Sequence, residues 1–210
     1  MEQFEQDKYL VVRQLLRNPL RDAVYSYAVK KSLKGSMSLN DIQVPGTPSY
    51  YGDTLMEMLL QLFRPSVEKL TGKRLDPTYS YFRVYKHGDV LEAHLDRPSC
   101  EISLSLTLGF EAAEPWPIVF EVDNQPRPIQ LFPGDGIVFR GMELKHWRER
   151  FEGGSHASVF LHYVDRNGPF SEWRHDKRNA FRARARRVLA CTGGGVLRAL
   201  NSTTLASSTV

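Results

Sequence analysis

The chain has 210 residues, 41% hydrophobic and 25% charged, with a net charge of +4. That is the make-up of an ordinary globule and a length that suits one domain. No apolar run reaches the length of a membrane helix, and the acidic start Met1-Glu2-Gln3-Phe4-Glu5 lacks a secretory layout. Cys100 and Cys191 lie far apart and make no metal or redox spacing, so free thiols in a reducing, cytoplasmic setting are expected. The charge is uneven. From Arg174 to Arg187 seven Lys or Arg residues face one acid, Asp176, a net +6 that leaves the rest of the chain at −2. This run reads as a solvated helix face, with contact to nucleic acid or an acidic surface as the alternative.

Residues 4–16 and 21–34 carry apolar residues at helical spacing. In the second stretch Ala23, Val24, Tyr27 and Ala28 share a stripe that Lys31 continues, and Gly35 supplies a stop. Residues 35–52, with Pro45-Gly46 and Pro48 as breakers, read as irregular or edge-strand chain. Tyr50 and Tyr51 belong there either to a cleft mouth or to the surface. Residues 53–71 give the clearest helix. Asp53 caps it, Leu55, Met58, Leu59, Leu62 and Phe63 form an apolar stripe, Pro65 predicts a kink or restart, and Gly72 a left-handed stop. The stripe is expected against the outer face of a sheet.

After Pro77 the period changes to that of strands, at about 79–86, 89–94, 100–109, 117–123, 127–131, 136–140, 143–148 and 156–164. Ile102 to Leu108 alternates strictly, with Ser103, Ser105 and Thr107 on its polar face. Asp123-Asn124-Gln125-Pro126 reads as a turn. Many short antiparallel strands with helices on one side predict a mainly β fold with flanking helices, a double-stranded β-helix (jelly-roll) core within a single domain over 1–170. Residues 171–210 are expected to form a basic helical segment, about 176–190, and an unstructured tail.

The chemistry centres on His94-Leu95-Asp96. On a strand, residues two apart share a face, so His94 and Asp96 aim one imidazole and one carboxylate at a common point. His146 follows 50 residues on, after the strand-like Gly136 to Arg140. Two His and one carboxylate can occupy one face of an octahedral metal and leave the other positions open, the facial triad of non-haem Fe(II) oxygenases. The bare pattern is common by chance, but its surroundings are not. Arg83-x-Tyr85-x-x-Gly88-x5-His94-x-Asp96, Pro133-Gly134-Asp135-Gly136 and the strand His156 to Tyr163 resemble the iron-binding region of 2-oxoglutarate/Fe(II) dioxygenases of the prolyl-4-hydroxylase-like type. The resemblance covers roughly residues 50–170.

The resemblance implies His94, Asp96 and His146 as metal ligands, with Fe(II), 2-oxoglutarate and O2 as cosubstrates and ascorbate as a reductant. Succinate, CO2 and a hydroxylated substrate would be the products. The presence of Asp96 favours hydroxylation over halogenation. The family places Arg or Lys about ten residues after the distal histidine to pair with the 5-carboxylate of 2-oxoglutarate. Here that position is His156, with Ser158 two residues on. His156 in its charged form and Ser158 are therefore expected at that carboxylate, with Tyr85 and Thr107 as further hydrogen-bond partners and Arg83 as an alternative cation. Trp147 is expected to face away from the metal into a core, and His162 to be a hydrogen-bonded core histidine.

The first reading is thus an Fe(II)- and 2-oxoglutarate-dependent dioxygenase hydroxylating an unactivated C–H bond of a small-molecule or peptide/protein substrate. A prolyl or other amino-acid side chain leads on analogy alone. The second is a non-catalytic jelly-roll metal-binding or sensing module, and the third a nucleic-acid-directed oxygenase, motivated only by the Arg-rich run. Oligomeric state is left open.

Overall fold

The computed structural model describes residues 2–178. The Arg-rich run beyond residue 178, the remainder of the helix expected at 176–190 and the tail lie outside them. In chain order the elements are α1 (Glu2–Asp7), β1 (Tyr9–Val12), α2 (Leu20–Leu33), β2 (Ser49–Tyr51), α3 (Thr54–Thr71), β3 (Leu75–Lys86), β4 (Leu91–His94), β5 (Ile102–Glu111), β6 (Ile118–Val122), β7 (Gln125–Ile129), β8 (Gly136–Phe139), β9 (His146–Arg148) and β10 (Ser155–Asp165). The strands form two antiparallel sheets, a larger one ordered β1-β8-β5-β10-β3-β2 and a smaller one ordered β4-β9-β6-β7. All eight strands expected after Pro77 are present.

Strand parity divides the interior into two layers of different chemistry. Leu104, Leu106 and Leu108 of β5, Phe82 and Val84 of β3 and Val159 and Leu161 of β10 point outward into a core shared with the helices. The opposite parity, Ser103, Ser105 and Thr107 on β5, is buried between the sheets. Each fully buried Leu or Phe contributes about 1.5–3 kcal/mol, so the helix-side layer carries the fold and leaves the inner layer free to be polar. Two smaller apolar clusters flank that inner layer, one around Phe120 and Phe139, the other around Tyr85, Trp116 and Phe151. The β6–β7 hairpin turns at Asp123 and Asn124, which both take positive φ (51° and 59°) as the turn requires.

Three expectations are corrected. Residues 4–16 are not one helix: α1 ends at Asp7, Lys8 takes φ 64°, and Tyr9–Val12 pairs with β8. Pairing to a waiting edge overrides the local period, and Tyr9 stacks on Phe120 at 5.7 Å. On α3 the buried stripe is Met56, Leu59, Leu60, Phe63 and Val67, while Met58 and Leu62 are 64% and 57% exposed. The face is rotated by about one position toward the sheet, and the helix runs on through Pro65 as one element. Trp147 does face away from the metal-binding side, but its ring is only half-buried, with Nε1 donating to Glu149 Oε1 (2.8 Å).

Asp53 fixes α3 at its start. Its Oδ1 accepts from Leu55 N (3.0 Å) and Met56 N (3.2 Å), and its Oδ2 accepts from Tyr27 Oη (2.7 Å) and pairs with Lys31. Burial alone would raise its pKa, but the hydrogen bonds from Lys31, Tyr27 and Met56 N outweigh it and hold the carboxyl below its ordinary value. Asp53→Ala should lower stability by about 3 kcal/mol, combining the lost cap with a stranded Lys31, read as a shift in the urea midpoint. Asp53→Asn, which keeps the cap, should lose less. Because the folded pKa is depressed, the charge contribution is present above about pH 3.9 and is lost as pH falls through the lower folded value.

Candidate metal centre

β4 and β9 are neighbours, and their register sets His94 directly opposite His146. The rings lie 4.3 Å apart, centroid to centroid. Each imidazole is fixed by a carbonyl two residues back in the chain: His94 Nδ1 to Glu92 O (2.8 Å) and His146 Nδ1 to Leu144 O (2.9 Å). Donation from Nδ1 leaves the lone pair on Nε2, the tautomer a metal needs. Asp96 joins them from the irregular chain just beyond the end of β4, two residues after His94. Its N–H donates to Gly141 O (2.9 Å), and Ser103 Oγ donates to its Oδ2 (3.2 Å). Asp96 Oδ1 then stands 3.7 Å from His94 Nε2 and 4.0 Å from His146 Nε2.

Ligands at right angles on one ion, each about 2.1 Å away, stand about 3 Å apart. The three donors therefore have to close by roughly 1 Å. His146 is buried beside Phe120 and Phe139. Burial first, and nearby His94 and Arg148 with it, push its pKa down against the opposing pull of Asp96, which keeps it in the neutral form that binds metal. Donor set, tautomers and charge state fit a divalent metal with open positions.

A second group, Asp96, Cys100 and His162, is also close enough to hold an ion, but its thiol is not in the form that binds metal. His162 Nδ1 bonds Ser103 Oγ (2.9 Å), and burial pushes the ring down to about 4. The Cys100 thiol bonds Tyr79 Oη (3.0 Å) and is held protonated by burial and by Asp96; a thiol binds metal only as thiolate. His162 is thus buried and hydrogen-bonded as expected, but it lines the cavity of the triad and does not sit in an apolar core.

The triad opens into a cavity of about 380 Å3, the size of a small-ligand site. Tyr51, Tyr79 and Tyr81 form an aromatic side to it, and Asp41, Ile42 and Gln43 bring the irregular segment between α2 and β2 across it. Tyr51 thus reaches the cavity, whereas Tyr50 packs on Phe82. Arg83 also lines it, but both Asp41 (2.6 Å) and Gln43 (2.6 Å) already hold its guanidinium.

Tyr85, Thr107, His156 and Ser158 are all fully buried between the sheets, and none of them lines the cavity. His156 Nε2 bonds Ser158 Oγ (3.0 Å), and its ring stacks on Phe110 and meets Tyr85 and Trp116 edge-on. Burial first, then Arg148, hold its pKa well below the ordinary value, so the charge expected there is corrected: the ring is neutral. Two cavity-lining cations do not appear in the sequence reading, Arg97 and Arg148, the latter two residues beyond His146 on the same face of β9. His146 and Arg148 are two residues apart on a strand, as His94 and Asp96 are in sequence, and that spacing puts them on one face.

No protein-family model matches the sequence, and no curated protein sequence matches it. Solved structures do. A prolyl-4-hydroxylase from Pseudomonas putida matches over 79% of this chain and 97% of its own at 15% identity, with a TM-score of 0.64. A prolyl hydroxylase from Trichoplax adhaerens, solved with a hypoxia inducible factor peptide fragment, matches over 85% and 90% at 13% identity, TM-score 0.66. HygX from Streptomyces hygroscopicus, solved with nickel, 2-oxoglutarate and hygromycin B, matches over 77% and 84% at 13% identity, TM-score 0.61. The chain has the fold of the 2-oxoglutarate/Fe(II) oxygenases, a jelly-roll core with flanking helices.

Gly141 tests the support of the triad. A Cβ there would meet Asp96 Oδ2 at 2.3 Å and Cys100 O at 2.5 Å, both of which real contacts never reach. Gly141→Ala should displace the carboxylate and lower metal affinity about 10- to 100-fold, the range for lost outer-shell support, measured by competition with a metal chelator. Unchanged affinity would detach Asp96 from the site.

Proposed function

We propose that this chain is an Fe(II)- and 2-oxoglutarate-dependent oxygenase that hydroxylates an unactivated C–H bond, with His94, Asp96 and His146 as its metal ligands. The observation that carries the reading is the convergence of two imidazoles, each held through Nδ1 by a backbone carbonyl, and one carboxylate at the wall of a cavity. It occurs in a fold whose solved examples include prolyl hydroxylases. Bound there, Fe(II) with 2-oxoglutarate and O2 supplies the oxidising power for hydroxylation, with succinate and CO2 as co-products.

The protein's own part is positioning. The carbonyls of Glu92 and Leu144 hold the two rings, Ser103 and the Gly141 carbonyl hold Asp96, and all three residues that would hold the metal line the cavity. Phe120 and Phe139 keep water from the rear of His146. Tyr51, Tyr79 and Tyr81, with the 94% exposed Ile42, offer the substrate flat and apolar surface at the mouth. That lining suits a compact substrate with an aliphatic C–H, either a small molecule or a peptide side chain such as a prolyl ring. Among the described residues no helix is long and apolar enough to cross a membrane.

Anaerobically iron-loaded protein, mixed with 2-oxoglutarate and air, should release succinate, faster when a substrate from a peptide and small-molecule panel is present. His94→Ala and His146→Ala should each lose stoichiometric Fe(II) and succinate release together. Iron retained at full stoichiometry in the double variant would defeat the ligand assignment. Iron bound by the wild type with no succinate under any condition would favour a metal-binding module without turnover.

A further inference from the structure

Arg148 is 1% exposed, lines the metal cavity, and pairs with no carboxylate among the described residues. Its Nη1 donates to Trp116 O, and its guanidinium lies over the Trp116 ring at 4.8 Å. Its Nε and Nη2 find no hydrogen-bond partner. Those two N–H groups lie on one edge of the guanidinium plane and form the fork that grips a carboxylate through two parallel bonds. A buried cation with its fork unfilled is costly unless an anion completes it. The neighbourhood is short of partners in the same way: Ser105 Oγ, Thr107 Oγ1 and His156 Nδ1 are also buried without one.

The other cations on the cavity wall are committed. Arg83 is held by Asp41 and Gln43. Arg97 is half-exposed and pairs with Asp176 at 2.9 Å. Position also fits. His146 and Arg148 are two residues apart on one strand face, about 6.6 Å along the chain. A five-carbon diacid, with four C–C bonds of about 1.5 Å, spans roughly 5 Å when extended.

We propose that Arg148 is the anion anchor of this cavity, gripping through Nε and Nη2 the carboxylate of 2-oxoglutarate that lies remote from the metal. This rests on the oxygenase reading above. The cation that its relatives by resemblance carry on the last strand is thereby supplied from the strand that also bears the distal metal ligand. His156, neutral and stacked on Phe110, serves as wall and not as partner.

The test pairs two ligands with three proteins. Mn(II)-loaded wild type, Arg148→Met and Arg148→Lys are titrated calorimetrically, without O2, with 2-oxoglutarate and with 2-oxopentanoate, which keeps the metal-binding end and lacks the remote carboxylate. Wild type should prefer 2-oxoglutarate by about 10- to 150-fold, the range for a charged hydrogen bond. Arg148→Met should bind Mn(II) and 2-oxopentanoate as wild type does, lose that preference, and lose the rise in thermal midpoint that 2-oxoglutarate gives wild type. Arg148→Lys, charged but without the fork, should fall between.

Equal preference in wild type and Arg148→Met would overturn the anchor and leave the oxygenase reading standing. Loss of both ligands alike in Arg148→Met would make its role structural, again overturning the anchor alone. Failure of Mn(II)-loaded wild type to bind 2-oxoglutarate would overturn both. Should Arg148→Met not fold, the wild-type ligand pair and Arg148→Lys decide: a wild type indifferent to the remote carboxylate, or a lysine variant that matches wild type on both ligands, removes the fork.

Discussion

The site depends on one cross-strand pairing. β4 and β9 are short, four and three residues, yet their register places His94 against His146 and so fixes where two of three donors meet. Directly opposed side chains in an antiparallel pair are the nearest neighbours a sheet offers. Neither strand has the length to be stable alone. They hold because β9 also pairs with β6, where Phe120 lies opposite His146, and because the Phe120 and Phe139 cluster packs between the sheets. A slip of one residue would turn both the imidazole and the guanidinium of β9 out of the cavity.

The inner layer tolerates groups that a core would reject. Arg148, Ser105, Thr107 and His156 all bury polar atoms that lack partners, and each such atom costs about 1–3 kcal/mol or more if charged. The helix-side core, rich in fully buried Leu, Phe and Val, supplies the stability that makes this tolerable. Function and stability are thereby assigned to opposite faces of the same strands, the trade that binding sites commonly make.

Much of this was legible in the sequence because it depends on period. The alternation of β5 separates Ser103, Ser105 and Thr107 from its leucines, and the two sets do lie on opposite faces, the leucines in the helix-side core, although the polar face does not line the cavity. Asp53 and Gly72 mark the ends of α3 through rules that act within a turn of chain. What escaped depends on pairing between distant segments. Tyr9–Val12 carries β-prone residues, but its pairing to the distant β8 edge, which decides strand over helix, is not visible in the local period. The charge state of His156 follows from burial and from Arg148, neither of which a single strand reveals. Gly141 carries no signal of its own; only the approach of Asp96 makes its missing Cβ matter.

The central claim is that a facial metal triad and a buried fork share one cavity and together define what it binds. A crystal structure of the protein grown anaerobically with Mn(II) and 2-oxoglutarate tests it most directly. The account predicts one ion on His94 Nε2, His146 Nε2 and an Asp96 oxygen, with the remote carboxylate paired to Arg148 Nε and Nη2. An ion held instead by Cys100 and His162, or a remote carboxylate resting on Arg83 or Arg97, would contradict it.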